Sequence, residues 1–240
     1  MATLPILAEG ARELGLELSQ RQLDQFQRFY EVLTDWAECV SLTAVKDSEG
    51  VQRRHFLESA ALIPVLEEAG ATLRDRSLID VGSGSGIPGI PLKILEPSLR
   101  LTLVEAKARK SEFLRALLPE LGLDDVTVLS RRSEEVARDL RQREQHDLAV
   151  AKALAPLRTL VELTLPLVRM GGLVLAPKGQ EAEAEVKEAR VALELLKGSV
   201  RSIEPLALAD KGQCVILVDK ELPVPPRFPR RPGVPAKRPL

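Results

Sequence analysis

Apolar residues recur at intervals of three and four early in the chain: Leu23, Phe26, Tyr30, Leu33, Ala37 and Val40 share one helical face. A second helix is expected over about residues 51–66, with Leu57, Ala61 and Val65 turned inward and Gly70 ending it. From Leu73 the period changes. Strand-length apolar runs at Ser77–Val81, Arg100–Val104, Val126–Leu129, 147–151 and 172–176 alternate with helical stretches at 90–95, Ala108–Leu121, 133–140, 157–168 and 181–196. In the last of these, Ala182, Val186, Ala189, Leu193 and Leu196 share one side. Two late strands, 200–205 and 214–218, bring the expected sheet to seven. This alternation predicts an α/β fold, a mostly parallel sheet covered by helices on both faces. No Gly/Ser-rich linker and no internal repeat divides the chain. The expected organisation is a helical region at 1–72 packed on an α/β core at 73–222, followed by a separate segment at 223–240.

The first strand runs into Asp80-Val81-Gly82-Ser83-Gly84-Ser85-Gly86-Ile87-Pro88-Gly89. Glycine serves where the backbone takes positive φ or a ligand approaches closely. A dinucleotide fingerprint needs G-x-G-x-x-G, and its third glycine position falls here on Ile87. Acid-x-Gly-x-Gly-x-Gly is instead the pattern of S-adenosylmethionine-binding folds, so Gly82, Gly84 and Gly86 are expected at a methyl donor rather than at NAD. Ligands of such sheets sit outside the carboxyl ends of the strands. Glu105 ends the second strand, where its carboxylate can accept from both ribose hydroxyls or serve as a helix N-terminal acid. Ser133 and Glu134 follow the third strand, at an adenine edge or as a helix cap. Lys152 follows the fourth, facing a donor carboxylate, a substrate phosphate or only solvent. Lys178, after the fifth, is read in the same way with less weight. Lys107, Arg109 and Lys110 suit RNA phosphates or a solvated helix face.

Composition narrows the class. Of 240 residues, 45% are hydrophobic and 29% charged, a globular balance. No apolar run approaches the roughly 20 residues of a membrane helix, and the amino-terminus lacks a signal-peptide pattern. The expectation is a cytoplasmic monomer. Cys39 and Cys214 match no metal or redox spacing and read as buried thiols, and no metal is expected. His55 and His146 have no serine or cysteine to activate, and His146 is expected in a surface loop. The net charge of −1 hides a segregation: residues 223–240 hold Arg227, Arg230, Arg231, Lys237 and Arg238 and no acid. Their proline density predicts extended chain without helix, either facing a phosphate backbone or serving as a solubilising terminus. The Asn/Asp-Pro-Pro-Tyr/Phe clamp of exocyclic amino methylation and the Pro-Cys nucleophile of cytosine-C5 methylation are both missing. Guanine N7 fits an enzyme without either, because its lone pair is free and alignment does most of the work.

With these motifs the chain resembles the bacterial small-subunit (16S) rRNA guanine-N7 methyltransferase family (RsmG, also GidB). The resemblance covers nearly the whole length: Trp36 with Leu42-Thr43-Ala44, Arg54-His55-Phe56-Leu57-Glu58-Ser59, residues 80–91 with their Gly-Ile-Pro-Gly-Ile-Pro, Lys152-Ala153, Ala155-Pro156-Leu157, Lys178-Gly179 and 228–235. It implies a class I S-adenosylmethionine-dependent methyltransferase, Rossmann-like with an N-terminal helical extension. It implies transfer to N7 of a guanine in the 530-loop region of 16S rRNA, free or in the small subunit. Donor contacts carried over fall on Gly82, Ile87, Ser133, Glu134 and Lys152, with Glu105 on the ribose. RNA contacts fall on Arg54, His55, Lys178 and the basic residues of 223–240, and Phe56 and Trp36 are candidate stacking platforms or core. No catalytic base is implied, and Lys152 is a candidate positioning residue. Four places depart from the family pattern. Trp-Asn is Trp36-Ala37, Asn-Leu-Thr is Ser41-Leu42-Thr43, Leu-Asp-Ser is Leu57-Glu58-Ser59 and Arg-Ala is Lys152-Ala153. Other readings from the same residues are a non-catalytic RNA-binding or assembly factor that kept the fold, and a methyltransferase for another acceptor.

Overall fold

In the computed structural model, which describes residues 4–45 and 47–240, the alternation forms one seven-stranded sheet of order β3-β2-β1-β4-β5-β7-β6. The strands are β1 Ser77–Val81, β2 Arg100–Val104, β3 Val126–Leu129, β4 His146–Val150, β5 Val168–Lys178, β6 Gly198–Pro205 and β7 Cys214–Lys220. β1 to β5 pair in parallel, whereas β7 is antiparallel to both β5 and β6. The reversal follows from the hairpin of β6 and β7, which docks on β5 through its second strand. This is the Rossmann-like class I methyltransferase fold with an N-terminal helical extension.

Strand alternation builds a separate core on each face. Leu78, Leu101, Leu103, Leu148, Val150, Leu173, Leu175, Val215 and Leu217 share one cluster with the N-terminal helices and with α6 Gly89–Leu95 and α7 Ala108–Leu121. Ile79, Val81, Val104, Ala149, Val174, Ile216 and Val218 share the other with α9 Leu157–Thr164 and α11 Arg190–Leu196. On the first face α1 Pro5–Glu13 and α2 Gln20–Ala37 pack beside the sheet. The Ser19 hydroxyl and the Gln22 side chain close a reciprocal cap at the start of α2. Phe26 and Phe29 hold the Phe56 ring at 4.9 and 5.4 Å, and Trp36 meets Phe113 edge-on at 5.6 Å. Both candidate stacking platforms are therefore core rings: Phe56 is fully buried and Trp36 is packed against the same cluster.

The helix expected over 51–66 is broken into α3 Ser48–Val51, a π-helical turn Gln52–Leu57, α4 Glu58–Ala60 and α5 Leu62–Glu68. Two causes are visible. Gln52 turns inward, and its Oε1 accepts from Ile6 N and Leu7 N, both at 3.1 Å, satisfying free amides at the start of α1. Pro64, with no amide hydrogen, cannot bond the carbonyl of Ala60, and the chain interrupts at Ala61. The helix expected over 181–196 is likewise two, α10 Ala182–Glu188 and α11, meeting at buried Ala189. The helix expected over 133–140 is one turn, α8 Ser133–Val136.

The segment 223–240 departs most from expectation. It is folded against the second face and carries a helical turn, α12 Val234–Lys237, with Pro235 in its first turn, where proline is tolerated. Val224 and Phe228 are buried. Prolines donate nothing, so donors for the segment's carbonyls come from the core: Arg138 reaches Pro229 O, and Arg143 reaches Phe228 O and Val224 O, each at 2.8 Å. Arg230 grips Glu162 of α9, whose carboxylate is fully buried, with Nη2 to Oε2 at 2.6 Å and Nε to Oε1 at 2.9 Å. His146 opens β4 and is buried rather than in a surface loop. Cys39 is exposed and Cys214 half-buried, so the expectation of two buried thiols fails for Cys39. No helix of the described residues is long and apolar enough to cross a membrane.

Candidate functional site

Asp80 is buried at the end of β1, its Oδ2 accepting from Gly89 N at 3.0 Å at the head of α6. Burial raises its pKa from 3.8 to about 7, and the Glu105 charge adds to the rise against the opposing Gly89 hydrogen bond. Among the described residues no partner reaches Asp80 Oδ1. Gly82 then takes φ +75° beneath Leu154, and a Cβ there would lie 2.6 Å from Leu154 Cδ1. Gly84, at φ +58°, gives its amide to Glu105 Oε2 at 3.0 Å. Glu105 Oε1 accepts from Lys107 N at 2.7 Å, so the acid and the glycine turn hold each other.

Over this turn opens a cavity of about 500 Å³ lined by the ends of β1, β2 and β3, by Ala153-Leu154-Ala155 after β4, and by Gly233 and Ala236 of the C-terminal segment. Gly82, Gly84, Glu105, Ser133 and Glu134 all line it, as do Lys107, Lys110, Arg131 and Arg132. Gly86 and Ile87 do not. A Cβ on Gly86 would meet Ile90 and Leu114, and Ile87 is buried in the apolar cluster of the first face. Glu134 Oε1 accepts from Gly233 N at 2.8 Å, and Ser133 Oγ donates to its Oε2 at 3.3 Å. The wall contributed by Gly233 and Ala236 was not legible in the sequence. Its signal was a buried acid, Glu162, inside an apolar helix and complementary to the basic segment.

These residues fit the expected donor. A Cβ on Gly84 would project into the open cavity, with Gly82 O 3.8 Å and Lys110 Nζ 4.0 Å away. Each Glu105 oxygen has taken one amide and keeps a lone pair for a hydroxyl. Among the described residues no group of His, Cys, Asp and Glu could hold a metal ion.

A second cavity, about 290 Å³, lies over the ends of β4 and β5 and shares Ala153 with the first. Lys152 faces it rather than the larger cavity, bonded to Glu58 Oε2 at 2.6 Å and to Arg54 O at 2.8 Å. Lys152 and Glu58, two of the positions singled out in the sequence, are thus partners in one ion pair, a single-headed cation on a carboxylate. Lys178 also faces this cavity but is held by Ala155 O and Glu185 Oε2, both at 2.7 Å, which pins the β4–α9 loop to α10.

Several expected RNA contacts are occupied. His55 Nε2 bonds Thr43 Oγ1 at 2.8 Å, and burial, then the Lys152 charge, lowers its pKa from 6.5 to about 4. Arg54 pairs with Asp210 at 3.1 Å on the surface. Arg230 is held by Glu162. Arg227 stacks over Phe228 at 5.0 Å and stays exposed, as do Arg231, Lys237 and Arg238.

A model of the family described as rRNA small subunit methyltransferase G matches residues 22–214. The ribosomal RNA small subunit methyltransferase G of Roseiflexus sp. (strain RS-1) is 45% identical over 238 residues, 99% of this chain and 100% of that one. The protein of the same name from Chloroflexus aggregans (strain MD-66 / DSM 9485) is 44% identical over 236 residues, 98% and 97% of the two chains. Among solved structures, a chain of the fibrillarin/Nop5p complex superposes with a TM-score of 0.52 at 14% identity, covering 69% of this chain and 83% of that one, a likeness of fold alone.

Proposed function

The chain belongs to the rRNA small subunit methyltransferase G family, and we propose that it transfers a methyl group from S-adenosylmethionine to N7 of a guanine in the 530-loop region of 16S rRNA. The observation that carries this reading is the glycine turn of β1 bound to Glu105 at the floor of the larger cavity. There the Gly82 and Gly84 backbone would hold the amino-acid part of the donor, Glu105 its ribose diol, and Ser133 with Glu134 its base. When bound, the donor supplies a sulfonium-activated methyl group. The guanine N7 lone pair would take that methyl group as the C–S pair returned to sulfur, leaving the positive charge on the imidazole ring of the base. No proton leaves N7, so no general base is assigned. The protein aligns the reactants and excludes water.

The exposed Arg227, Arg231, Lys237 and Arg238, with Lys107, Lys110, Arg131 and Arg132 at the larger cavity, form the proposed phosphate-facing rim. The test is tritiated methyl transfer to 30S subunits from a strain lacking the gene, comparing wild type with Gly82→Arg. Label at one 530-loop guanine, mapped by cleavage at N7-methylguanosine and lost in the variant, is the expected result. Donor binding without incorporation into subunits, precursors or free rRNA would assign another acceptor. Absence of donor binding would favour a non-catalytic assembly role.

A further inference from the structure

The smaller cavity lies beside the larger one, with which it shares Ala153. Its volume of about 290 Å³ sits at the small end of the range for ligand sites, about 300–1,000 Å³. Leu62, Pro88, Pro177 and Leu206 give it apolar walls, suited to the faces of a planar base. Its polar lining holds Ser59, Gln213 and two ion pairs: Lys178–Glu185, which is spent on the β4–α9 loop, and Glu58–Lys152, whose side chains are 10% and 24% exposed. A half-buried ion pair is a weak source of stability, so its place in a cavity wall calls for another reason. Glu58 Oε2 takes the lysine, and among the described residues no hydrogen-bond donor reaches Oε1. Lys152 uses two of its three donors, on Glu58 and Arg54 O. Glu58 Oε1, the second lone pair of Oε2 and one Lys152 proton are therefore left side by side.

We propose that this cavity reads the target guanine, and that Glu58 and Lys152 grip its Watson–Crick edge, with Glu58 accepting from N1–H and the N2 amine and Lys152 donating to O6. The proposal rests on the guanine-N7 reading above. Such a grip leaves N7, on the adjoining Hoogsteen edge of the base, uncovered. Adenine presents the reverse pattern there, an acceptor at N1 facing the carboxylate and an amine facing the ammonium, which leaves both protein groups mismatched. Glu58 has a second effect. The base becomes cationic as the methyl group arrives, so a carboxylate on its edge stabilises the transition state more than the neutral ground state and raises kcat. Lys152 orients the acid and its charge offsets part of that gain, so removing Glu58 alone leaves an uncompensated ammonium beside a base that turns cationic.

The experiment uses 30S subunits reconstituted with rRNA carrying guanosine or inosine at the target, inosine lacking only the N2 amine. Wild type is expected to lose about ten-fold in kcat/KM on inosine. Glu58→Gln is expected to lose ten- to a hundred-fold on guanosine, chiefly in kcat, with little further loss on inosine and with S-adenosylmethionine affinity retained. An inosine penalty of equal size in wild type and variant, or a variant with the full guanosine rate, overturns the proposal. Glu58→Asp combined with Lys152→Arg keeps the pair and carries the same comparison should Glu58→Gln fail to fold. It is expected to keep rate and inosine penalty close to those of wild type, and loss of the penalty in that folded variant overturns the proposal. If wild type leaves guanosine subunits unlabelled, the guanine reading falls first, an outcome distinct from a labelled guanosine with no Glu58 dependence.

Discussion

Asp80 lies just ahead of Gly82 in sequence, and its chemistry is set by burial. A carboxyl raised from 3.8 to about 7 keeps its proton in the folded protein across that interval, while the unfolded chain gives it up. Its contribution to stability therefore falls as pH rises from about 4 to about 7. His55 and His146, both lowered from 6.5 to about 4, act in the opposite sense, because their unfolded imidazoles bind protons that the folded ones refuse. Asp80→Asn should remove only the first effect. Its stability relative to wild type should grow between about pH 4 and pH 7 in urea titrations, and a constant offset would contradict the assignment. The glycines separate in a similar way. Gly84→Leu places a side chain in the larger cavity and should weaken S-adenosylmethionine binding at least ten-fold by calorimetry, with about 1–2 kcal/mol of backbone cost. Gly86→Ala meets Ile90 and Leu114 instead, so it should lower stability while leaving donor affinity intact in the folded protein. The sequence could not make that distinction, because spacing identifies a turn and not which glycine faces a ligand.

At the scale of elements, strands were the most legible part, because short apolar runs set between helical stretches mark buried parallel strands. Ser77–Val81, Arg100–Val104 and Val126–Leu129 fall where the pattern put them. Helices broken by one inward side chain were not legible. Gln52 looks like a solvated residue until α1 docks its free amides on it. The C-terminal segment was misread for a related reason: its extended reading rested on proline, while its fold rests on distant donors. Arg230→Ala leaves the fully buried Glu162 carboxylate without its cation, which should cost about 3–5 kcal/mol. Combining Arg230→Met with Glu162→Leu should recover much of that loss, read as the urea midpoint of each variant.

For the molecule as a whole, the net charge of −1 says little, because the cations are sorted by position. Arg230 and Lys178 face inward into ion pairs, while Arg231, Lys237 and Arg238 stay exposed. Reversing those three exposed charges should weaken RNA binding and flatten its salt dependence, by up to about 0.7 in the log–log slope for each lost single-strand phosphate contact, with donor affinity held. The hydrogen bond from Gly233 to Glu134 also gives the protein an order in time. Synthesis is vectorial and folding follows it, so a nascent chain can assemble β1 to β5 well before residues 233–236 emerge. The larger cavity would still lack a wall, and a newly made molecule would complete it only once that segment had left the ribosome and docked.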